Sequence, residues 1–258
     1  MPLREFNILR DHGKQYVPDL RRATLPEIFR GRPVISGDIL PLEAEMAASI
    51  CPSGAIQTRT GSGAGPVCSL DLGKCLFCRE CEFALPGKIR FTHDHRLAAN
   101  DRQSLVILPG EDKQIALDPA RIRKEIRSLY RHALKLRQVS AGGDNSAEME
   151  LNAAGNVNFD MGRYGIEFVA SPRHADGIVI TGPITVNMAK ALRLTWEAVP
   201  PPRVLILVGT DAISGGLFAG SNALDRSFLE DHSPDLLIPG NPPHPLTFIN
   251  GVLDLTGR

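Results

Sequence analysis

Short apolar runs alternate with amphipathic stretches along the second half of the chain. From residue 140 onward, four such runs predict strands, at residues 166–170, 177–181, 204–208 and 236–238. Between and after them, residues 187–199 and 245–255 have the periodicity of helices. The continuous apolar run 204–208 is typical of a strand that is buried on both faces of a parallel sheet. The alternation therefore predicts a three-layer α/β fold.

This predicted architecture is flavodoxin-like, with helices on both faces of a parallel sheet. Ligands in such folds bind beyond the carboxyl ends of the strands. Here those ends lead into the loops 181–183, 209–216 and 239–243. We therefore expect any functional residues of this half to lie in these loops.

A long helix is predicted to open this half. Asp118 followed by Pro119 indicates a helix start, and the pattern continues to about residue 136. Apolar side chains recur every four residues on one face, at Ile122, Ile126, Tyr130 and Leu134. The other face is basic, with Arg121, Arg123, Lys124, Arg127, Arg131 and Lys135. This face is either a solvated surface or a contact for an acidic partner or anionic lipid headgroups, and we favour a protein partner over lipid.

The first 117 residues are predicted to contain shorter elements. Residues 1–37 are punctuated by proline and arginine and predict an extended arm. A helix is expected after Pro41, and short strands are expected around the Gly-rich turn 61–65, which resembles a hairpin loop more than a dinucleotide-binding motif. Further strands are predicted at 89–91 and 104–108, and His93 and His95 are expected in a solvated loop rather than in a metal site.

The sequence thus predicts three parts in an α/β with α+β fold: an arm (1–37), a small first domain (38–117) and the α/β domain (118–258). Composition adds a contrast between the halves of the 258-residue chain. Residues 1–140 contain 22 Lys and Arg against 16 Asp and Glu, whereas the remainder contains 7 against 13. This asymmetry suggests different partners for the two halves, or one electrostatically organised assembly. The sequence has no apolar run long enough to span a membrane and does not begin like a secretory signal, and its clustered cysteines favour a reducing compartment.

Three cysteines spaced two residues apart dominate the first domain: Cys75, Cys78 and Cys81. The bacterial ferredoxin run is C-x2-C-x2-C-x3-C-P, and its fourth cysteine ligates the other cluster of a two-cluster protein. The fourth position here is Leu85, before Pro86. Upstream, Cys51-Pro52 matches a fourth position whose three companions are Pro41, Ala44 and Ala47. The losses are complementary, so that Cys51, Cys75, Cys78 and Cys81 form one complete set for a single [4Fe–4S] cluster.

Two alternatives to this cluster remain open. Zinc also binds thiolates, and Cys51 or Cys68 would be its fourth ligand. The second alternative is that the cysteines bind no metal and are free thiols. Cys68 lies outside the motif and is interpreted as a small buried apolar residue.

The loops of the second half resemble a known family. Residues 170–176, 181–183 and 239–243 are similar to the small, cluster-bearing subunit shared by respiratory complex I and the membrane-bound [NiFe]-hydrogenases of the formate hydrogenlyase type. The resemblance covers about residues 130–255. The stretch from Phe29-Arg-Gly-Arg-Pro33 through the cysteine run is similar to the two-cluster, ferredoxin-like subunit of the same assemblies. The resemblance implies that the chain is a fusion of these two neighbouring subunits, with a ferredoxin-like 4Fe-4S domain at 38–117.

The departures from this family concern its proximal cluster. The family holds that [4Fe–4S] cluster with four cysteines, whose positions correspond here to Asp144, Ala147, Asp211 and Asn241, and no cysteine follows Cys81. The resemblance therefore implies no second cluster. Asp144, Asp211 and Asn241 are expected to converge, where they would hold a hard cation such as Mg or Ca, or water in a vacated cavity. Glu148, which corresponds to an acidic residue near the family's active site, suggests a proton path as a further hypothesis.

The function implied by this resemblance is an iron–sulfur electron-transfer subunit of a membrane-associated, complex I-like or hydrogenase-related oxidoreductase. Its partners would be a protein like the hydrogenase or complex I large subunit and membrane subunits, without nucleic acid and without a membrane span of its own. Its location would be cytoplasmic, peripheral to the inner membrane, and no catalytic residue is assigned. One alternative function is a non-redox structural adaptor with a structural cluster. Another is a free-standing flavin- or nucleotide-binding reductase.

Overall fold

The computed structural model describes residues 3–11, 13, 15–58 and 67–258. Its helices are α1 (Leu3–Asp11), α2 (Pro41–Ile50), α3 (Glu80–Ala84), α4 (Lys124–Leu129), α5 (Ser146–Ala154), α6 (Val186–Ala198), α7 (Thr210–Ser214), α8 (Phe228–Asp231) and α9 (Pro245–Thr256). Its strands are β1 (Pro33–Ile35), β2 (Ile56–Thr58), β3 (Cys68–Asp71), β4 (Ile89–Phe91), β5 (Val106–Ile107), β6 (Leu134–Ser140), β7 (Ile166–Phe168), β8 (Gly177–Thr181), β9 (Val204–Val208) and β10 (Leu236–Ile238).

Five parallel strands form the sheet of the second half, in the order β7-β6-β8-β9-β10. Counted along the chain, this order is 2-1-3-4-5, which is the flavodoxin-like arrangement. The predicted strands at 177–181, 204–208 and 236–238 and the helices α6 and α9 are confirmed within one residue. All five residues of β8 and of β9 are buried, as expected for a sheet covered on both faces.

Each face of this sheet packs against a different layer. Ile126 of α4, Leu151 of α5 and Phe248 of α9 pack on one face, in one buried cluster with Val179. On the other face, Ile178 and Ile180 belong to a cluster with Leu192 of α6. That second cluster also contains the core of the first 117 residues. The first part of the chain therefore packs on the sheet face that α6 covers.

The predicted helix at 118–136 is wrong. Asp118 caps only a single 3-10 turn, by accepting a 2.9 Å hydrogen bond from Ala120 N, and α4 ends at Leu129. The chain then becomes strand β6, where Leu134, Leu136 and Val139 are buried. Apolar residues at i and i+4 fit both periodicities over a short window, and pairing with β7 and β8 decides for the strand.

The predicted basic helix face consequently does not exist as one surface. Arg121 pairs with Asp101 at 2.6 Å, and Arg123 pairs with Asp235 at 2.8 Å. Lys135 lies on β6. These intramolecular ion pairs neutralise part of the positive charge that the sequence suggested would contact an acidic partner.

Two small antiparallel sheets organise the first part, β1 with β4 and β2 with β3 and β5. The helix predicted after Pro41 is confirmed as α2, whose first residue is Pro41. The strand predicted at 104–108 is reduced to β5, because a 3-10 turn occupies Arg102–Leu105. The Gly-rich turn 61–65 lies outside the described residues, although the strands that flank it pair as an antiparallel hairpin.

Two further expectations for this part are corrected. Residues Leu3–Asp11 of the predicted extended arm form a helix. His95 is buried rather than solvated, and its Nε2 lies 3.2 Å from Nδ2 of Asn250 on α9. The docking of α9, distant in sequence, excludes water from this histidine. His93 is exposed, as expected.

Candidate metal centre

The loop that follows β3 makes a series of turns that place a backbone amide against the sulfur of Cys75. The amides of Lys74 and Cys75 both donate to Asp71 O, at 3.0 Å each. Phe77 and Arg79 then adopt left-handed backbone conformations, with φ of 55° and 69°. Through the first of these bends, Phe77 N donates a 3.3 Å hydrogen bond to Cys75 Sγ. The loop thus presents a backbone donor to a cysteine sulfur, which favours the thiolate form.

Cys51 reaches this loop from the end of α2. Its amide donates to Ala48 O, and its carbonyl accepts from Gly54 N at 3.2 Å, so that the chain turns sharply at Cys51-Pro52. Helices α2 and α3 pack against each other. Cys81 lies in the first turn of α3, and Cys78 lies in the loop that precedes this helix.

Each of the other three cysteines of the set contributes to the electrostatic surroundings of Cys75. Burial raises the pKa of Cys75 well above its ordinary value, and the charges of Cys81, Cys51 and Cys78 raise it further. Burial likewise raises the pKa of Cys81 to about 11, with added contributions from Cys78 and Cys51. Cys75 and Cys81 in this setting favour the neutral thiol, and a cationic centre would hold them as thiolates.

The described residues contain no three His, Cys, Asp or Glu side chains close enough to one another to bind one common ion. The chemistry of the donor set nevertheless fits an iron–sulfur cluster, because all four donors are sulfurs and Cys75 and Cys81 are buried. Cys51 and Cys78 are half-buried and form the outer side of the group.

Cys68 is separate from this group. It is buried in β3, and burial alone raises the pKa of its thiol. This environment agrees with its interpretation as a small apolar core residue.

Apolar packing fills the positions that correspond to the missing cysteines of the ferredoxin run. Ala44, Ala47 and Leu85 are buried in the same hydrophobic cluster, whereas Pro41 is exposed at the start of α2. The side chains at these four positions offer no thiolate to a cluster.

A second group of candidate residues lines a small cavity at the carboxyl edge of the parallel sheet. Asp144, Asp211 and Asn241 all line it, so their predicted convergence is confirmed, and Glu148 lines it as well. The cavity measures about 10 Å³, roughly the space that one water molecule requires. Oxygen and amide donors around so small a space do not fit a [4Fe–4S] cluster.

The two aspartates of this cavity have opposite electrostatic surroundings. Burial, and then the charge of Asp144, raises the pKa of Asp211, while Arg226 opposes this shift. Hydrogen bonds from the hydroxyl and the amide of Ser146 lower the pKa of Asp144. The buried Glu148 accepts a 2.6 Å hydrogen bond from the hydroxyl of Thr181.

Sequence reasoning missed two residues that shape this region. Arg226 donates to four backbone carbonyls, of Pro183, Asp211, Ala212 and Ile213, at 2.9–3.2 Å, and so caps the end of α7. Thr210 donates its hydroxyl to Cys75 O at 2.8 Å and thereby joins the cavity to the cysteine loop. Neither residue has a motif around it, because their partners are distant in sequence.

Within the part of the chain that the structure describes, no helix is both long enough and apolar enough to cross a membrane.

Comparison with known proteins gives a consistent set of relatives. The family model described as NADH ubiquinone oxidoreductase, 20 kDa subunit, matches residues 145–255. The probable membrane-bound hydrogenase subunit mbhJ of Pyrococcus furiosus is 32% identical, over 45% of this chain and 69% of its own length. An NADH-quinone oxidoreductase subunit of Heliobacterium modesticaldum is 39% identical, over 43% of this chain and 63% of its own length.

A third relative aligns over more of the chain. Formate hydrogenlyase subunit 7 of Escherichia coli is 33% identical, over 60% of this chain and 59% of its own length. The chain therefore spans between 59% and 69% of the length of these three relatives. Among solved structures, a chain of the archaeal membrane-bound sulfane sulfur reductase matches with 24% identity and a TM-score of 0.44, over 49% of this chain and 70% of its own.

Proposed function

Because the chain belongs to the family of the 20 kDa subunit of NADH ubiquinone oxidoreductase, we propose that it is a one-cluster electron-transfer subunit of a membrane-associated oxidoreductase complex. Relatives are named as subunits of a membrane-bound hydrogenase, a formate hydrogenlyase and an NADH-quinone oxidoreductase. By analogy, this chain associates peripherally with the cytoplasmic side of a membrane through partner subunits. Those partners are a protein like the hydrogenase or complex I large subunit, and membrane subunits.

The observation that carries the proposal is the packing of Cys51 against the buried hydrophobic cluster that contains Cys75 and Cys81. Cys51 influences the pKa of both Cys75 and Cys81, although it is 24 residues from the nearer one. Crossed ligation of this kind is the rule in two-cluster ferredoxins. We assign Cys51, Cys75, Cys78 and Cys81 as the ligands of one [4Fe–4S] cluster, which supplies a one-electron couple when bound.

The surrounding elements support a ferredoxin-like first domain at residues 38–117, extended at its start by β1 (Pro33–Ile35), which pairs with β4. The chain order β1-α2-β2-β3-α3-β4 contains two similar halves, each with a helix between two strands. The outer strands β1 and β4 pair with each other, and so do the inner strands β2 and β3. Each half has one part of the cysteine set at its helix, because Cys51 caps the end of α2 and Cys81 lies in the first turn of α3.

The α/β half has a different role in this proposal. It has no cysteine, and the 10 Å³ cavity at its sheet edge has room for water rather than for a cluster. We therefore assign residues 118–258 as the part that binds partner subunits and supports the cysteine loop. The chain is in this view a fusion of a ferredoxin-like subunit with a small subunit that has lost its proximal cluster.

The test is anaerobic purification of the full chain from its native membranes, with analysis of metal, sulfide and bound proteins. We expect about four irons and four sulfides per chain, a reversible electron paramagnetic resonance signal on reduction, and co-purifying complex subunits. Cys78→Ser should remove the iron, whereas Cys68→Ala should retain it, because Cys68 lies apart from the four ligands. Stoichiometric zinc in place of iron would refute the cluster.

A second candidate function is a non-redox adaptor that has a structural cluster. The small cavity favours it, because a space of about 10 Å³ has no room for a second cluster that would continue an electron path through the sheet edge. Reduction at accessible potentials distinguishes the two functions. A cluster that stays oxidised throughout turnover of the complex identifies the adaptor, and a cluster that changes oxidation state identifies the electron carrier.

A further inference from the structure

The cysteine loop rests directly on the carboxyl edge of the parallel sheet. Thr210, the first residue of α7, is 1% exposed, and its Oγ1 lies 2.8 Å from Cys75 O and 3.2 Å from Gly240 O. Thr210 N already donates to Gly240 O at 2.9 Å. Since a hydroxyl has one proton to donate, the shorter contact and the satisfied Gly240 carbonyl assign this proton to Cys75.

A second contact closes the interface on the other side of Cys75. A Cβ atom on Gly73 would lie 2.8 Å from the Ile213 side chain of α7 and 2.7 Å from the guanidinium of Arg102. Arg102 is itself held by Asp71, through hydrogen bonds of 2.5 and 2.6 Å. The turn before Cys75 therefore packs against α7 without free space.

We propose that Thr210 is a positioning residue for the cluster and acts through its hydrogen bond to the backbone carbonyl of Cys75. This inference rests on the proposed function, since it concerns the cluster that Cys75 would ligate. The hydroxyl hydrogen points toward the Cys75 carbonyl in a buried setting, where a dipole acts strongly. The positive end of this dipole stabilises the electron density that a reduced cluster gains on the Cys75 side. Thr210 therefore raises the reduction potential and slows loss of the cluster.

The experiment compares three variants in the full chain. Thr210→Val preserves the shape of the side chain and removes the hydroxyl. Thr210→Ser restores the hydroxyl without the methyl group. The control is Thr195→Val, because Thr195 lies on the solvent side of α6 and its hydroxyl donates to Ala191 O of the same helix.

The first two measurements are the midpoint potential, from a redox titration, and the rate of iron release to a chelator. In Thr210→Val we expect a lower potential and release about tenfold faster, because an unsatisfied buried acceptor costs roughly 1–3 kcal/mol and 1.4 kcal/mol corresponds to tenfold. Thr210→Ser should return both values to those of the unaltered chain, and Thr195→Val should change neither. Unaltered potential and release in Thr210→Val would overturn the inference.

Amide hydrogen exchange of residues 73–78 provides a third measurement that does not depend on iron. Exchange there should be faster in Thr210→Val than in the unaltered chain, whether or not the cluster is present. If the unaltered chain binds no iron, the proposed function fails, and equal exchange rates in the two proteins would separately reject the contact between Thr210 and the loop.

Discussion

Asp144 and Asp211 face the same cavity, but the protein stabilises the ionised form of only one of them. Ser146 donates two hydrogen bonds to Asp144 Oδ1, at 2.9 and 2.6 Å, and lowers the pKa of that carboxyl. Asp211 is half-buried beside that negative charge, and its pKa is raised. Its ionised form consequently destabilises the folded state, while ionised Asp144 stabilises it.

Substitutions at these two positions should therefore act in opposite directions at neutral pH. Asp211→Asn is expected to increase the free energy of unfolding, by no more than about 1 kcal/mol because solvent screens the site. Asp144→Ala is expected to decrease it by on the order of 1 kcal/mol through loss of the hydrogen bonds.

The pH dependence supplies the control for this pair. A raised pKa means that the stability contributed by Asp211 is present at low pH and is lost as the pH rises through its folded-state value. The advantage of Asp211→Asn should thus vanish at low pH in denaturant titrations. An equal advantage at both pH values would contradict this account.

His244 is a half-buried, neutral residue at the N-cap of α9. Its Nδ1 accepts a 3.1 Å hydrogen bond from Leu246 N, and the rings of Phe29 and Phe159 pack edge-on against it. Burial, and then the nearby His95, lowers the pKa of His244 to about 4. Protonation would place a charge in this apolar setting and remove the acceptor from the helix start.

We expect stability to fall as the pH decreases from about 6.5, the ordinary pKa of histidine, toward 4. The sign follows from the lowered pKa, because the contribution of neutral His244 is complete above the unfolded-state pKa and is lost below it. In His244→Asn this loss should be smaller by on the order of 2 kcal/mol, after allowance for partial exposure. Denaturant titrations across the pH range measure it, and the exposed His174→Asn should retain the full dependence.

The loops after β6 and β8 come into close backbone contact. Gly182 has a φ of +78°, and a Cβ atom there would lie 2.5 Å from Gly143 N. Only glycine accommodates both this conformation and this approach. The contact holds the Asp144 loop against the end of β8 and closes one side of the small cavity.

Gly182→Ala should accordingly separate these two loops. We expect a loss of about 1–3 kcal/mol in the free energy of unfolding, from backbone strain and from the steric contact. Gly220→Ala is the matched control, because no atom lies within 4 Å of its added Cβ. Thermal denaturation of both variants measures the difference, and equal melting temperatures would show that the loops tolerate separation.

At the scale of whole elements, the corrected strand β6 has the largest consequence. It lies between β7 and β8 and so connects the edge strand to the rest of the sheet. Its alternation of buried and exposed residues is short and overlaps a pattern that also fits a helix. Pairing partners that follow at Ile166–Phe168 and Gly177–Thr181 decide its conformation.

One large hydrophobic cluster contains buried residues from both halves of the molecule. Ile107 and Leu105 of the first part belong to the same buried cluster as Ile178 and Leu205 of the parallel sheet. The contact of Thr210 with Cys75 adds a buried polar link. The two halves should therefore unfold together.

We expect a single cooperative transition when the cluster-loaded chain is titrated with denaturant. Absorbance of the cluster reports the first half, and fluorescence of Trp196 reports the second. Their midpoints should coincide, because loss of the shared hydrophobic cluster disrupts both halves at once. Separate midpoints would indicate that the predicted domains at 38–117 and 118–258 unfold independently.

The amino-acid sequence by itself determined the features that depend on local spacing. The run 204–208 predicted a buried parallel strand, the proline at residue 41 predicted α2, and the intervals between cysteines selected four ligand candidates and set Cys68 aside. Convergence of Asp144, Asp211 and Asn241 also followed from sequence, through resemblance to a family.

Tertiary structure alone decided the features that depend on contacts between distant residues. Thr210 and Cys75 are 135 positions apart, and His95 and Asn250 are 155 apart. Burial of His95, the conformation of β6 and the size of the acidic cavity all follow from such contacts. The physical reason is that periodicity reports which face of a segment is apolar, whereas close packing determines what that face meets.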